Sequence, residues 1–190
     1  MSTRTRDDNG QVLIRAARPG DEADVARMHV RSWQSAYAGL LPAEFLAGLD
    51  PARRAQSYNF SIERSDPFST MVVEEGGRVL GFATAGPSRG RDTAGAGELF
   101  GLYVDPDHWR RGLGKLLMAD SYAQFVRLGF TEAVLWVLEG NWRAEAFYRA
   151  EGWTRDGGEQ DDDIGPGWRA ASTAPCEIPV LHEVRYRRLL

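Results

Sequence analysis

The run from Ala133 to Leu138 (AVLWVL) is the longest strongly apolar stretch in the chain, and it constrains the fold more than any other feature. A continuous apolar run of this length is the pattern of a strand covered on both faces, which belongs in a parallel pair bridged by helices. Its surroundings agree. Glu98 to Val104 reads as a strand stopped by Asp105-Pro106. In the helix expected over Leu113 to Leu128, Met118, Tyr122, Phe125 and Val126 fall at i, i+4, i+7 and i+8, with Gly129 at the C-cap position. Asn141 to Ala150 reads as a further helix with Asn141 as its capping oxygen. Strand, helix, strand and helix in succession make a crossover unit, so the chain belongs to the α/β or α+β class.

The rest of the chain supplies shorter elements. Val12 to Ala16 reads as a strand. Val25, Met28, Ser32, Trp33 and Ala36 recur at helical spacing, so a first helix is expected over 21–37. Pro42 to Leu49 suits a short helix ending before Pro51. Met71 to Glu74 and Val79 to Ala85 flank Glu75-Gly76-Gly77 as a hairpin. Pro87 to Gly97 and Arg155 to Pro179 lack apolar rhythm and are expected to be loops, and His182 to Leu190 alternates as a last strand. Met1 to Gln11 is polar throughout, so a disordered leader over 1–11 and a single domain over 12–190 are expected.

Composition removes several functions. The chain has 190 residues with 23 basic and 27 acidic side chains, a formal net charge of −4. That balance offers no broad positive field for nucleic acid or for an anionic membrane, so neither partner is expected. Cys176 is the single cysteine, and with it and three scattered histidines (His29, His108, His182) the usual zinc cage cannot assemble, so no metal is expected. No apolar stretch approaches the roughly 20 residues that cross a bilayer, and no apolar region follows the polar start. The location expected is cytoplasmic.

The chemistry concentrates in Glu98 to Met118, where a strand reaches a helix through a turn holding Gly112 and Gly114. Arg110, Arg111 and Lys115 lie before or inside the first helical turn, where the macrodipole disfavours a cation by about 0.3–1 kcal/mol at each exposed site. A phosphate compensates them naturally: free N–H groups point at it, glycines let the backbone approach, and the cations neutralise it. A solvated basic turn is the alternative. A Walker loop would need glycine and Ser or Thr where Trp109 and Leu116 stand, and a dinucleotide fingerprint would need glycine at Leu117. Nucleoside triphosphates, NAD and FAD are thereby disfavoured.

In these residues the sequence resembles the GNAT superfamily of acyl-CoA-dependent N-acetyltransferases, small bacterial type. The family's acyl-CoA motif, Gln/Arg-x-x-Gly-x-Gly/Ala after a strand ending L-x-V, is matched by Leu102-Tyr103-Val104 and Gly112-Leu113-Gly114, with Trp109 in the Gln/Arg position. A second motif, Asn-x-x-Ala-x-x-Phe-Tyr followed by Gly and an aromatic, is matched by Asn141, Ala144, Phe147, Tyr148, Gly152 and Trp153. Trp33, Tyr37 and Gly39-Leu40-Leu41-Pro42 fit the opening of small bacterial members. The resemblance spans about Ile14 to Trp153.

The resemblance implies a central twisted sheet of about seven strands, mixed but mostly antiparallel, flanked by helices and carrying a splayed strand pair. It implies acetyl-CoA as co-substrate, with Leu102, Tyr103, Val104, Trp109, Arg110, Arg111, Gly112, Leu113, Gly114, Lys115, Asn141, Ala144 and Phe147 along the coenzyme. The acetyl group would pass directly to a small-molecule or peptide amine in a ternary complex. Val104 N–H would polarise the thioester carbonyl, Tyr148 would be the general acid, and Glu98 at the start of the splayed strand the base. A water chain is the alternative to Glu98. Trp33 and Tyr37, one helical turn apart, would face the acceptor, although Trp33 fits a core position equally. The acids Glu159, Asp161, Asp162 and Asp163 are either an attractor for a cationic amine or a solvated loop. The family also contains homodimers, and a non-catalytic acyl-CoA-sensing or partner-binding module is the alternative function.

Three further features carry less chemistry. Gly86-Pro87-Ser88-Arg89-Gly90 has the spacing of a nucleophile elbow, but a Gly- and Arg-rich loop follows it instead of a helix. His29 reads as a semi-buried histidine of the first helix, and His108 borders the phosphate turn. Nothing near Cys176 activates a thiolate.

Overall fold

The computed structural model describes residues 4–7, 10–61 and 67–190. In chain order the elements are β1 (Arg4–Asp7), β2 (Gly10–Ala16), α1 (Glu22–Ala36), α2 (Ala43–Ala47), α3 (Pro51–Ala55), β3 (Ser69–Glu75), β4 (Arg78–Pro87) and β5 (Gly97–Val104). A 3₁₀ turn at Pro106–His108 leads to α4 (Leu113–Arg127), β6 (Glu132–Leu138), α5 (Trp142–Ala150), β7 (Thr154–Asp163), α6 (Pro166–Ala171) and β8 (Val180–Leu189). The strands form one sheet in the order β1-β2-β3-β4-β5-β6-β8-β7.

The apolar run of β6 is covered on both faces, and this organises the molecule. Ala133 and Val134 are 0% exposed and Leu135 is 1% exposed. Ala133, Leu135 and Val137 pack with Leu117, Met118 and Phe125 of α4, whereas Leu138 packs with Trp33 of α1 and with Trp168 of α6. The sheet therefore has an α4/α5 face and an α1/α6 face. β5 and β6 are parallel, and the other neighbouring strands are antiparallel.

The parallel pair is short. β5 meets β6 only at Gly97↔Ala133, Glu98↔Val134 and Leu99↔Leu135. Beyond that point β5 stays with β4 as far as Val104, and β6 stays with β8 as far as Leu138. The divergence begins where the β4–β5 register slips between Thr84 and Ala85, leaving Phe100 without a partner on β4. A bulge bends its strand and raises the local twist, which turns the end of β5 away from β6. The splayed pair implied by the family motifs is present.

Three expectations are corrected. Arg4–Asp7 of the expected leader pairs with Gly10–Leu13 of β2, because a sheet edge offers hydrogen-bonding partners that a count of apolar residues does not register; residues 1–3 and 8–9 of that leader lie outside the described residues. Arg155 to Pro179 is no simple loop: it carries β7 and α6. β7 has no buried face to write an apolar period, and Asp156 pins it to β8 through Arg185 and Arg187 at 3.0 and 2.9 Å. Together β1 and β7 bring the described strands to eight where about seven were expected. The helix expected over Pro42 to Leu49 is α2, which already ends at Ala47 with Gly48 as its C-cap, and Pro51 instead opens α3, where Asp50 accepts from Ala52 N–H.

Candidate active site

The gap between β5 and β6 exposes backbone. Asp105 N–H donates to Leu80 C=O at 2.8 Å. In an antiparallel ladder bonded pairs alternate with unbonded ones, so at Val104 and Leu102 both peptide groups turn away from β4 and into the gap. Val104 C=O accepts there from Ser32 Oγ–H at 2.9 Å and from Trp109 Nε1–H at 2.8 Å. A cavity of about 770 Å³ occupies the gap and is lined by Glu98 through Val104, by 108–110 and 112–115 of the following turn, and by α5.

The turn that follows β5 is shaped for an anion. Arg110 has φ 61° and Gly112 φ 81°, two left-handed residues that fold the chain back before α4. Gly112 offers no side-chain cap, so the first N–H groups of α4 lack an acceptor from that source. A Cβ on Gly114 would meet Phe147 at 3.4 Å, an ordinary contact, so protein packing does not demand glycine there. A bare backbone beside a cavity suits close approach by a ligand. Arg110 and Lys115 are exposed and line the cavity. Arg111 departs from expectation: its guanidinium is held by Glu75 at 2.8 and 3.2 Å, away from the cavity lining. Trp109, in the motif's Gln/Arg position, is covered by the guanidinium of Arg143, 3.3 Å from the ring centroid.

The α4/α5 face supplies the apolar wall. Leu102, Leu113, Ala144, Phe147 and Tyr148 border the cavity. Asn141 borders it too and caps α5 by accepting from Ala144 N–H at 3.3 Å. Tyr148 is 8% exposed, and its hydroxyl makes no hydrogen bond to the described residues. Burial pushes that hydroxyl well above the ordinary phenol range, so it is protonated at neutral pH.

The α1/α6 face carries the polar end. Tyr37 and Tyr103 approach each other hydroxyl to hydroxyl at 3.4 Å, and burial raises both above the phenol range. Trp33 is corrected to a core role: it is 3% exposed, stacks on Trp168 at 3.8 Å and does not line the cavity. Glu98 accepts from Ser88 Oγ–H at 2.7 Å and from Arg89 N–H at 3.2 Å, so the rejected elbow serves as a cradle for this carboxylate. Side chains alternate along strands, and Glu98 is opposite Val134, Glu183 opposite Leu138, Gln160 opposite Glu183 and Asp162 opposite Leu181. All four therefore share this face. Gln160 Nε2–H donates to Glu183 at 2.9 Å. Burial, then Asp162 and Glu98, raise Glu183 above the usual carboxylate range against that hydrogen bond.

Glu183, Gln160 and Arg143 were missed from sequence. Glu183 lay in an expected strand, but which way it faced depends on register. Of the acidic stretch 159–163, only Gln160 and Asp162 reach this cavity; Asp161 turns to His182 and Asp163 to Arg169. Among the described residues no group of three or more His, Cys, Asp or Glu is arranged to hold a metal ion, and no helix is long and apolar enough to cross a membrane.

A sheet with this splay, a bare phosphate-type turn and a buried tyrosine beside the gap defines an acyl-CoA-dependent acyltransferase fold. The sequence profile of the Acetyltransferase (GNAT) family matches residues 30–153, and the chain belongs to that family. It is 31% identical over 139 residues to the uncharacterized N-acetyltransferase YuaI of Bacillus subtilis, covering 73% of this chain and 78% of that one. Among solved structures it resembles PaiA N-acetyltransferase from Thermoplasma acidophilum in complex with coenzyme A, with a TM-score of 0.64 and 16% identity over 94% of this chain and 99% of that one. YncA of Salmonella typhimurium with its cofactor acetyl-CoA gives a TM-score of 0.61 at 21% identity, covering 94% of each chain. The protein is a GNAT-family N-acetyltransferase.

Proposed function

We propose that the protein transfers the acetyl group of acetyl-CoA to a primary amine by direct attack in a ternary complex. The observation that carries this reading is the backbone of Leu102 and the N–H of Val104, turned away from β4 towards a cavity that is lined by the bare turn at Gly112-Gly114 and by Tyr148. Acetyl-CoA supplies the thioester, whose carbon–sulfur bond breaks as the acceptor nitrogen bonds to the acetyl carbon. The N–H groups at the start of α4, with Arg110, Lys115 and Arg143, hold the phosphates. Leu102 and Val104 align the amide-bearing arm, and Val104 N–H donates to the carbonyl oxygen as charge builds on it.

Tyr148 holds the proton that the departing thiolate needs. Its burial, which keeps the phenol protonated, supports that role. The amine enters protonated and must lose a proton before attack. Glu98 takes it, oriented by Ser88 and the Arg89 N–H. Adding acetyl-CoA and an amine panel and following free thiol tests the proposal: free CoA accumulates only when an acceptor is present. Coenzyme binding without amine-dependent thiol release would instead mark a sensor.

A further inference from the structure

The loop from Ser88 to Ala96, between β4 and β5, is built around one buried hydroxyl. Thr93 is 3% exposed, and its Oγ1 lies 2.5 Å from Ser88 Oγ and 3.3 Å from Gly90 C=O. Ser88 is the residue that donates to Glu98. A Cβ on Gly90 would stand 2.4 Å from Thr93 Oγ1, so any side chain there would push the hydroxyl aside. Ser88 N–H donates to Ala96 C=O at 2.9 Å and Ala96 N–H to Thr93 C=O at 3.0 Å, which folds the loop back on itself. On its outer side Asp92 is paired with Arg185, a buried guanidinium that Asp156 also holds.

Counting hydrogens gives this arrangement a direction. A hydroxyl has one hydrogen and two lone pairs, and an ionised carboxylate only accepts. Ser88 therefore gives its hydrogen to Glu98 at 2.7 Å, a charge-assisted bond. Its two lone pairs are filled by Gly90 N–H at 3.3 Å and by the Thr93 hydroxyl, for which Ser88 Oγ is the nearer of two acceptors. With both filled, the serine rotamer and its hydrogen have one setting. Arg89 N–H donates to the same Glu98 oxygen, Oε2. Oε1 accepts nothing among the described residues and is the oxygen left for a ligand in the cavity that Glu98 lines. No described cation takes the place of these donors. Arg89 turns its guanidinium onto Phe68 and Phe100, Arg185 is taken by its two aspartates, and Glu183 of β8 and Asp162 of β7 are acids lining the same cavity.

We infer that Thr93 is a positioning residue for acetyl transfer: through Ser88 it fixes Glu98 with Oε2 held by the loop and Oε1 turned to the acceptor nitrogen. The amine proton then passes to Oε1, since Oε2 already accepts two hydrogens, and the lone pair left on nitrogen attacks the acetyl carbon. The inference rests on the reading of Glu98 as base and deepens it by naming what holds that base.

The test reads Glu98 directly, without acceptor or coenzyme. Glutamate side-chain carboxyl carbons are labelled with ¹³C in the full chain, the Glu98 resonance is identified by its loss in Glu98→Gln, and its titration midpoint is followed by NMR. Donors to the ionised form favour that form. Thr93→Val, which keeps the shape and removes the hydroxyl, is expected to raise the midpoint by about half a pH unit, about threefold in proton affinity. Thr93→Ser, which keeps the hydroxyl, should match the parent. Ser88→Ala, which removes the donor itself, should raise the midpoint by about one unit. A midpoint unchanged in Thr93→Val would overturn the inference, and so would Thr93→Ser shifting as far as Thr93→Val. Should Thr93→Val not fold, Ser88→Ala reads the same ladder from its other end, and an unchanged midpoint there overturns the inference equally. Turnover of Glu98→Gln tests the base reading instead, so a glutamate held by Thr93 yet dispensable for transfer is a separate result from a base held by other means.

Discussion

The guanidinium of Arg143 on α5 lies 3.3 Å over the ring of Trp109 and joins the two arms of the splayed sheet. Trp109 stands where the family motif has Gln or Arg, and Arg143 brings a cation back to that place from the opposite arm. It forms no ion pair among the described residues, and burial lowers its pKa. A partly buried, unpaired cation beside a phosphate-type turn calls for an anion. Arg143→Ala is expected to weaken acetyl-CoA about tenfold, in line with loss of a charged hydrogen bond of about 1.5–3 kcal/mol partly replaced by water. S-acetylpantetheine, which lacks the diphosphate, should bind the variant and the parent alike. Equal losses for both thioesters would place Arg143 at the acceptor end.

Tyr148→Phe removes one oxygen from a buried site and leaves the ring packed against Trp153 and Phe147. Turnover is expected to fall at least tenfold with acetyl-CoA affinity nearly constant, since a positioned acid contributes about 10²–10⁴ in rate. Steady-state kinetics with a calorimetric Kd checks both halves. Unchanged turnover would remove Tyr148 from the chemistry.

Glu98→Gln is expected to lower kcat/KM and to shift its acid limb, because a carboxylate that accepts a proton must first be ionised. The amide keeps an acceptor for Ser88 and the Arg89 N–H, which limits structural change. A pH profile that keeps its acid limb in the variant would pass the role to a water chain or to Glu183, which is raised above the carboxylate range by burial.

His29 makes stability depend on pH in a window of its own. Burial, then Arg54, holds the imidazole well below its usual pKa of 6.5. Its Nδ1 meets Tyr58 Oη at 2.5 Å, while Nε2 has no partner among the described residues. The unfolded chain therefore binds this proton more readily than the native one. Stability from this site is complete above about pH 6.5 and falls by about 1.4 kcal/mol per pH unit below it, until the folded pKa is reached. Denaturant midpoints between pH 7 and 5 should drop in the parent and stay flatter in His29→Gln. Parallel slopes would contradict the assignment.

Burial decided what the sequence could tell. α4 and β6 were legible because one packs a single stripe and the other packs on both faces, and each arrangement leaves its period in the residues. The cavity-lining glycines and Tyr148 were legible through motif spacing. β7 was not, because its side chains are nearly all exposed and it is held by edge pairing and by Asp156. Helical spacing put Trp33 and Tyr37 on one side of α1 but could not show that α6 would return to cover Trp33 with Trp168. Glu75 lies on a hairpin remote in sequence from Arg111, so nothing local signalled their pairing. Glu183 needed the β6–β8 register, since a slip of one residue would turn it to the other face.

The central claim is that the turn from Trp109 to Lys115 wraps the coenzyme diphosphate and so aims a thioester into the gap between β5 and β6. A crystal structure of the protein grown with acetyl-CoA tests it most directly. The account predicts phosphate oxygens within hydrogen-bond distance of N–H groups from Gly112 to Lys115, with the sulfur beside the Tyr148 hydroxyl. Coenzyme bound elsewhere on the surface, with that turn free, would contradict it.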